Sequence, residues 1–391
     1  MKVLIVGAGI AGPTLAYWLL RGGHQPTLVE RAPKLRQGGY LIDFWGAGFD
    51  VAGWMGIAGE LRRRGYRFAE ARAVGVDGRR VGSFETSAFL DSGDRYVSIA
   101  RSDLAGVIFD ALEGAELILG DTVRSLEDHG DHVGVRFESG EDREFDLVVG
   151  ADGLHSQVRR LAFGPEEWFE KYLGIVVAVF DVEGYRPRDE LVAMMHAEVG
   201  FQVVRVALRG DVTMFALTVR HDGDVPMESV AEQQELLCRR LAGARWETPT
   251  ILEGMQRART FYFDRVSQIR MPSWSRGRVA LVGDAAACPS LLAGQGSALA
   301  MVEAYVLAAE LARSNGDHAN AFARYERRLA PFLRSKQDAA QGLGLAFAPR
   351  NRLQLSVRNT VIRLMGLPLV ANLAMGRSFR DAVELPAFPA A

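Results

Sequence analysis

The chain has 391 residues, 48% of them hydrophobic and 24% charged, with a formal net charge of −2. That length exceeds one ordinary core and fits two closely packed domains. The near-neutral balance gives no electrostatic ground for binding nucleic acid or an anionic membrane. Two cysteines, Cys238 and Cys288, are too few for a disulfide framework, which points to a reducing, cytoplasmic compartment. Met1 and Lys2 run straight into an apolar strand, without the pattern of a secretory signal. The longest late apolar stretch, residues 364–375, contains Pro368 and Asn372 and falls short of the roughly 20 residues a membrane span needs.

In chain order, residues 3–6 form a continuous run of Val, Leu and Ile that predicts a strand buried on both faces. A glycine-rich turn leads into a helix over 11–20, with Pro13 in its first turn, where a missing N–H is harmless. Gly22-Gly23 ends it, and residues 26–30 read as a second strand. Residues 36–48 are rich in glycine and aromatic residues and long for a connector, which suggests a functional loop. A helix is expected over 50–65, then strand-like alternation over 68–86 with a turn at Asp77-Gly78. Ile99-Ala100-Arg101 ends a further strand, and Ser102 is expected to cap a helix through Leu112. Strands follow at 133–137 and 145–149, the second feeding Gly150-Ala151-Asp152-Gly153. Residues 172–219 change character: short β-rich segments at 175–180, 201–208 and 212–219 predict one sheet of a separate domain. A helix over 227–241 and a strand over 261–269 complete it. Residues 278–282 return to the buried parallel-strand style and meet Gly283-Asp284. A helix over 297–313 ends at Asn315-Gly316, and the remainder reads as mostly helical.

Gly7-Ala8-Gly9-Ile10-Ala11-Gly12 sits between a strand and a helix. Gly7 permits the tight turn, Gly9 lets a pyrophosphate approach the backbone, and Gly12 lets helix and strand pack closely. Ala11 opens a helix whose unpaired N–H groups and dipole favour phosphate. Glu30, followed by Arg31, ends the next strand, where a carboxylate accepts from ribose hydroxyls. This constellation alone does not choose between FAD and NAD. Gly283-Asp284 repeats the strand-to-turn arrangement late in the chain, with Asp284 placed to accept from hydroxyls of a ribityl chain. Gly294-Gln295-Gly296-Ser297 then opens a helix whose N-terminal amides can stabilise negative charge on a flavin ring. Asp152-Gly153, with Arg159 six residues later, and Arg101 at a strand end are the third and fourth features. Taken singly, these read equally as a capping Asp, an acidic turn and a surface arginine. The expected fold class is α/β. A Rossmann-like dinucleotide domain with a parallel sheet (residues 1–66, 99–166 and 271–340) is interrupted by a β-sheet substrate domain (67–98 and 167–270). A C-terminal helical segment (341–391) follows.

In this order, the four features resemble the family of FAD-dependent aromatic hydroxylases typified by para-hydroxybenzoate hydroxylase, over essentially the whole chain. The chain is most similar to the compact branch that includes tetracycline-inactivating monooxygenases, whose loop Gly38-Gly39-Tyr40-Leu41-Ile42-Asp43 resembles. The resemblance implies non-covalent FAD on Gly7, Gly9, Gly12 and Glu30. It gives Asp152, Gly153 and Arg159 a part in serving FAD and NAD(P)H, sets Gly283 and Asp284 against the flavin ribityl region, and places Arg101 on the flavin side of the site. It further implies transient NADPH or NADH, O₂ adding at flavin C4a, and transfer of one oxygen atom from the resulting hydroperoxide to a small electron-rich substrate. The chain departs from the family at Ala287, where the family has His, and at Ser290-Leu291, where it has Pro-Pro; Pro289 is displaced by one.

Asp43 is the candidate for a catalytic side chain on the aromatic loop, against a plain turn role. Met194, His196, Phe215, Leu291 and Leu292 are candidates to line the substrate pocket, against ordinary core packing. Cys288 reads as a small buried residue, and no His/Cys/carboxylate set has metal spacing. The signature of flavin halogenases is absent. A reductase of prenyl double bonds, or a protein that sequesters flavin or ligand without catalysis, stays compatible with the same motifs. Monomer and homodimer are equally open.

Overall fold

A computed structural model describes residues 1–35, 40–85, 95–365 and 383–389. Gly38, Gly39 and residues 366–375 of the late apolar stretch lie outside the described residues. The first sheet orders its six strands as Ser275–Arg276, Val279–Leu281, Leu147–Gly150, Lys2–Val6, Gln25–Glu30 and Glu116–Leu119. All neighbours are parallel except the first pair. Val3, Leu4 and Ile5 are fully buried, as are Leu147, Val148 and Val149. Continuous apolar runs of this kind are what a sheet covered on both faces requires. The helix Ala11–Arg21 packs along the helix Gly296–Ala312, which also carries His318–Phe347. An antiparallel three-stranded sheet (Val123–Asp128, Val133–Phe137, Asp142–Phe145) lies within the same stretch of chain.

The second large sheet has seven strands: Phe261–Ile269, Glu170–Glu183, Val212–Arg220, Phe201–Ala207, Val192–Glu198, Glu70–Val74 and Arg80–Glu85. Its two faces enter two different cores. Val176, Ala178, Phe180, Phe215 and Leu217 pack with Leu237, Ile251 and Met255 of the helices Val230–Arg240 and Thr248–Gln256. Ile175, Val177, Val179, Val206 and Met214 pack on the opposite side with Leu292, Ala348, Tyr40 and Tyr262. The period-2 alternation is thus complete, yet both faces are apolar.

Several boundaries differ from those expected. Residues 50–65 split into two helices, Ala47–Trp54 and Ala58–Arg64, because Gly56 turns the chain at φ 78°. The expected cap Ser102 lies inside a helix, Arg101–Asp110, whose cap position is Ala100. The helix Thr248–Gln256, with Pro249 in its first turn, was not expected. A single helix, His318–Phe347, crosses the expected boundary at residues 340/341.

Candidate active site

Three strands end at one level: Val6 pairs with Gly150, and Gly150 with Leu281. The turns that follow are the Gly7 loop, the Asp152 loop and Gly283-Asp284, so residues far apart in sequence meet at one edge of the sheet. They are closely fitted. A methyl group on Gly7 would stand 2.5 Å from the Ala151 carbonyl oxygen, and one on Gly12 would stand 2.0 Å from the Gly7 oxygen. Gly283, at φ 65°, packs on Ala11 and Ala300. A crevice outside the carboxyl ends of parallel strands is where open α/β sheets bind their ligands.

Glu30 reaches back into this edge. Its Oε2 accepts from the Ala8 N–H at 2.9 Å and its Oε1 from the Ala32 N–H at 3.0 Å, leaving a lone pair on each oxygen. Arg31 is exposed beside it. The helix Ala11–Arg21 starts without a side-chain cap, so its first N–H groups stay available to an anion. Beside Gly9 stands the Arg101 guanidinium, 3.5 Å from the position a Cβ would take.

Gly296 opens the helix Gly296–Ala312, again without a side-chain cap. A Cβ there would meet only the Asp284 carboxylate, at 3.8 Å. Gly294, at φ 66°, lies against the Trp45 ring; Gln295 is buried and Ser297 half-buried. Asp284 lies deep at the base of this turn, and burial raises its pKa above the ordinary carboxylate range. Beneath it the Gly283 N–H donates to Glu303 Oε2 at 2.8 Å, and burial pushes the Glu303 carboxyl up to about 8.

The second motif is largely used by the protein itself. Asp152 accepts from the Ser156 hydroxyl and from the Gln157 and Val158 N–H groups, at 2.7 and 3.0 Å for the last two, which caps the helix Gln157–Ala162. Arg159 is completely buried. It donates to the carbonyls of Leu154 (2.6 Å) and Ala285 (3.1 Å) and to Glu166 (2.8 Å). It therefore ties the second motif to the third rather than facing the crevice. Gly153, at φ 80°, has open space where a Cβ would stand.

Asp43 lies on the strand Leu41–Trp45, paired across from Ser98. Its Oδ1 accepts from the hydroxyls of Tyr96, at 2.8 Å, and Ser98. Among the expected pocket residues, Leu292 is buried in the core between sheet and crevice, while Leu291 on the same turn is exposed. Met194, His196 and Phe215 are not brought to the crevice. Phe215 is in the core under the two helices, His196 stacks on Trp246 of that layer at 5.2 Å, and Met194, two residues from His196, shares its side. Physically, Val212–Arg220 is apolar on both faces, so its composition does not show which parity faces the crevice. Met214, Ala216 and Val204 do.

Sequence reasoning missed a polar group on the crevice side. Tyr262 donates to Asp264 Oδ2 at 2.9 Å, and its ring lies 5.2 Å from that of Tyr40. Asp264 Oδ1 meets His155 Nε2 at 3.3 Å, and His155 Nδ1 meets Glu166 Oε1 at 2.8 Å. Hydrogen bonds to Asp264 and then Glu166 push the His155 pKa up to about 10. The available signal was the spacing: Tyr262 and Asp264, two apart on the strand Phe261–Ile269, share a face. Among the described residues, no group of three or more His, Cys, Asp or Glu is arranged to hold a metal ion, and no helix is long and apolar enough to cross a membrane.

The uncapped helix starts, the glycine-lined edge and the carboxylates near it fit an adenine dinucleotide with a flavin. The family model described as "FAD binding domain" matches residues 1–335. The chain belongs to this family. A flavin-dependent monooxygenase from an unknown prokaryotic organism is 35% identical, covering 99% of each chain. Another, from Legionella longbeachae, is 31% identical, covering 99% of this chain and 98% of the other. Tetracycline destructase Tet(55) superposes with a TM-score of 0.85 at 31% identity, covering 99% of this chain and 98% of that one. The protein is an FAD-dependent monooxygenase.

Proposed function

We propose that the enzyme uses NADPH or NADH, as a transient co-substrate, and O₂ to oxygenate a small aromatic or polycyclic organic molecule, most simply by hydroxylation. When bound, FAD supplies the redox chemistry: it accepts hydride and, once reduced, activates O₂ for transfer of one oxygen atom. The observation that carries this reading is the juxtaposition of the three-turn edge with the inner apolar face of the seven-stranded sheet.

In this reading, Gly7, Gly9, Ala11 and Gly12 approach the pyrophosphate and Glu30 holds the adenosine ribose, with Arg31 beside it. Asp284 accepts from the ribityl hydroxyls. Gly294, Gln295, Gly296 and Ser297 present the uncapped helix start to the flavin ring, favouring negative charge there. Arg101, which forms no side-chain hydrogen bond or ion pair among the described residues, supplies positive charge to the same space. Asp152, Gly153 and Arg159 act as the frame that fixes the Asp284 turn. The sheet face of Met214, Ala216 and Val177 closes the substrate side and keeps it dry. The similarity to a tetracycline destructase supports a polycyclic substrate and antibiotic modification as its biological setting. Residues 1–66, 99–166 and 271–340 form the FAD domain in this scheme, and 67–98 with 167–270 the substrate domain.

The test is a screen of phenolic and polycyclic compounds that reads NADPH and NADH oxidation together with product mass. A mass gain of one oxygen atom, coupled to NAD(P)H consumption, is the expected result. Protein that releases no FAD on heat denaturation after reconstitution, or that oxidises NAD(P)H only to H₂O₂ with every compound, overturns it.

A further inference from the structure

The near-neutral charge of the whole chain hides a segregated stretch. Between Asp338 and Met365 the sequence has four arginines, at 350, 352, 358 and 363, and no acidic residue. The helix Arg352–Leu364 lies in this stretch, and the Asn351 side chain caps it by accepting from the Gln354 N–H at 2.9 Å. One face is seated on the outermost strand of the large sheet, Arg80–Glu85. Ile362 and Met365 pack with Ala73, Val81 and Phe84, and a methyl on Gly82 would stand 2.9 Å from the Arg363 nitrogen. Arg358 is buried on this side and donates to the Ala346 carbonyl at 2.8 Å and to Gln202. The opposite face is open: Leu353, Val357, Val361 and Leu364 are 74, 55, 36 and 44% exposed. Steps of four, four and three keep these side chains in one row. Eleven residues make close to three full turns, so Arg352 and Arg363 stand in line along the rim of that row. Arg350 and Arg352 form no side-chain hydrogen bond or ion pair among the described residues, and Arg363 donates to the Val81 carbonyl at 3.2 Å without a carboxylate partner among them. Exposed arginines elsewhere are commonly ion-paired, as Arg63 is with Glu60 and Arg136 with Asp142.

We propose that this face is a docking surface for an anionic lipid bilayer, with the helix lying in the plane of the headgroups. The aliphatic row sinks to the boundary of the acyl chains while the arginines at its rim meet lipid phosphates. Unpaired cations beside an apolar row, with no carboxylate on the helix, are complementary to such a surface in both charge and polarity. Plain Leu and Val suit lipid, which has no fixed shape to match, whereas protein interfaces are built around large anchors seated in pockets. A second copy is disfavoured, because pairing two such faces brings arginines together with nothing acidic on either helix to offset them. The inner face is already packed, so the helix is preformed and orders nothing further on contact. It lies on the bilayer and does not cross it: no described helix is long and apolar enough to do so. Ala348, four residues ahead of Arg352, packs in the crevice-side core that holds Met214 and Leu292. A docked bilayer therefore lies beside the crevice and offers it apolar molecules dissolved in lipid. Supply of substrate by this route, unlike the docking itself, rests on the crevice being the substrate site.

The experiment is co-sedimentation of the full-length, FAD-loaded protein with vesicles of phosphatidylcholine alone or mixed with phosphatidylglycerol. The wild type is expected to partition onto the mixed vesicles at least about tenfold more strongly than onto phosphatidylcholine, and to come off as salt is raised. Leu353→Ser combined with Val357→Ser is expected to abolish partitioning. Both side chains are exposed, so folding is expected to persist, checked by FAD content and the urea midpoint. Arg352→Gln combined with Arg363→Gln is expected to weaken binding to the mixed vesicles about tenfold. Arg136→Gln combined with Arg259→Gln removes the same charge from other exposed positions and is expected to leave binding within about twofold of wild type. No preference for phosphatidylglycerol, unchanged binding in either helix variant, or an equal loss in the Arg136/Arg259 control overturns the proposal. Absence of vesicle binding overturns it whether or not an acidic polypeptide such as polyglutamate binds instead. A dimer in light scattering that Leu353→Ser with Val357→Ser converts to monomer also overturns it, because a second copy would then occupy this face.

Discussion

The Ala8 N–H donates to Oε2 of Glu30, joining the first glycine turn to the end of the second strand at 2.9 Å. With the Ala32 N–H on Oε1, Glu30 organises the loop before any ribose arrives. Glu30→Ala is therefore expected to weaken FAD binding by two routes, lost contact and lost order in the loop. Charge-assisted hydrogen bonds of about 1.5–3 kcal/mol correspond to roughly 10–100-fold in Kd. Turnover per bound flavin is expected to stay near wild type, because this corner is far from the reacting ring. FAD titration by fluorescence quenching, with turnover normalised to bound flavin, checks both. Normal FAD affinity with lost turnover would show that Glu30 acts elsewhere.

Arg159 carries the join between the second and third motifs. A buried guanidinium removed from Leu154, Ala285 and Glu166 leaves two carbonyls and a carboxylate short of a partner. Arg159→Met is expected to cost about 3–5 kcal/mol, the usual penalty for breaking a buried pair by removing one member. Arg159→Lys is not expected to rescue it, because one ammonium cannot span the same fork. Urea denaturation of the apoprotein is the measurement. A loss confined to NAD(P)H affinity, with stability intact, would put Arg159 at the nucleotide instead.

How much of this was legible in the sequence follows from what each signal depends on. The strand–glycine turn–helix units were readable because backbone geometry demands glycine where Gly7 and Gly12 touch neighbouring backbone. The division of roles within the second motif was not readable. Asp152 has the same letter whether it caps Gln157–Ala162 or meets a ligand, and only the position of Arg159 under Ala285 decides its use. Tyr262 and Asp264 come from one strand and His155 from a turn over 100 positions earlier, so their meeting is a product of tertiary folding. Met194, His196 and Phe215 failed on parity, because a sheet buried on both faces has no apolar-against-polar alternation to orient it.

That parity yields a direct test. Phe215 and Met214 are sequence neighbours on opposite faces, both buried. Phe215→Ala is expected to cost about 3–5 kcal/mol of stability without altering substrate preference. Met214→Leu conserves volume and is expected to cost under about 1.5 kcal/mol while changing KM values across the substrate panel. Denaturation midpoints and KM for at least two substrates are to be compared. A change of preference in the Phe215 variant alone would reverse the assignment of faces.

Gly12 and Gly296 separate a glycine needed by the fold from one needed by the ligand. A methyl at Gly12 overlaps the Gly7 carbonyl oxygen, whereas one at Gly296 meets only Asp284, at ordinary contact distance. Gly12→Ala is expected to destabilise the apoprotein by more than about 1 kcal/mol. Gly296→Val is expected to leave the apoprotein within about 1 kcal/mol of wild type, yet to lose FAD or to divert reduced enzyme to H₂O₂. FAD occupancy and product formed per NAD(P)H oxidised are the readouts. Normal values of both in Gly296→Val would mean that this helix start does not face the flavin.

Glu303 gives the enzyme a pH-dependent term that is independent of catalysis. Its carboxyl is buried beneath Gly283, accepts from that N–H and from the Tyr325 hydroxyl, and lies near the Asp284 charge. Burial raises its pKa from 4.5 to about 8. Between those values the unfolded chain has released the proton and the folded protein still holds it, so the folded state binds more protons and stability falls as pH rises. The contribution is complete below the unfolded value and gone above about 8. Glu303→Gln keeps an oxygen for the Gly283 N–H but cannot ionise. Its stability relative to wild type is therefore expected to improve steadily from pH 5 to about pH 8, by a few kcal/mol at most, and then to level off toward pH 9. Thermal or urea midpoints of the two apoproteins across that range provide the comparison. Parallel curves would show that Glu303 titrates normally in the folded state, and with it would go the account of a neutral carboxylic acid supporting the Asp284 turn.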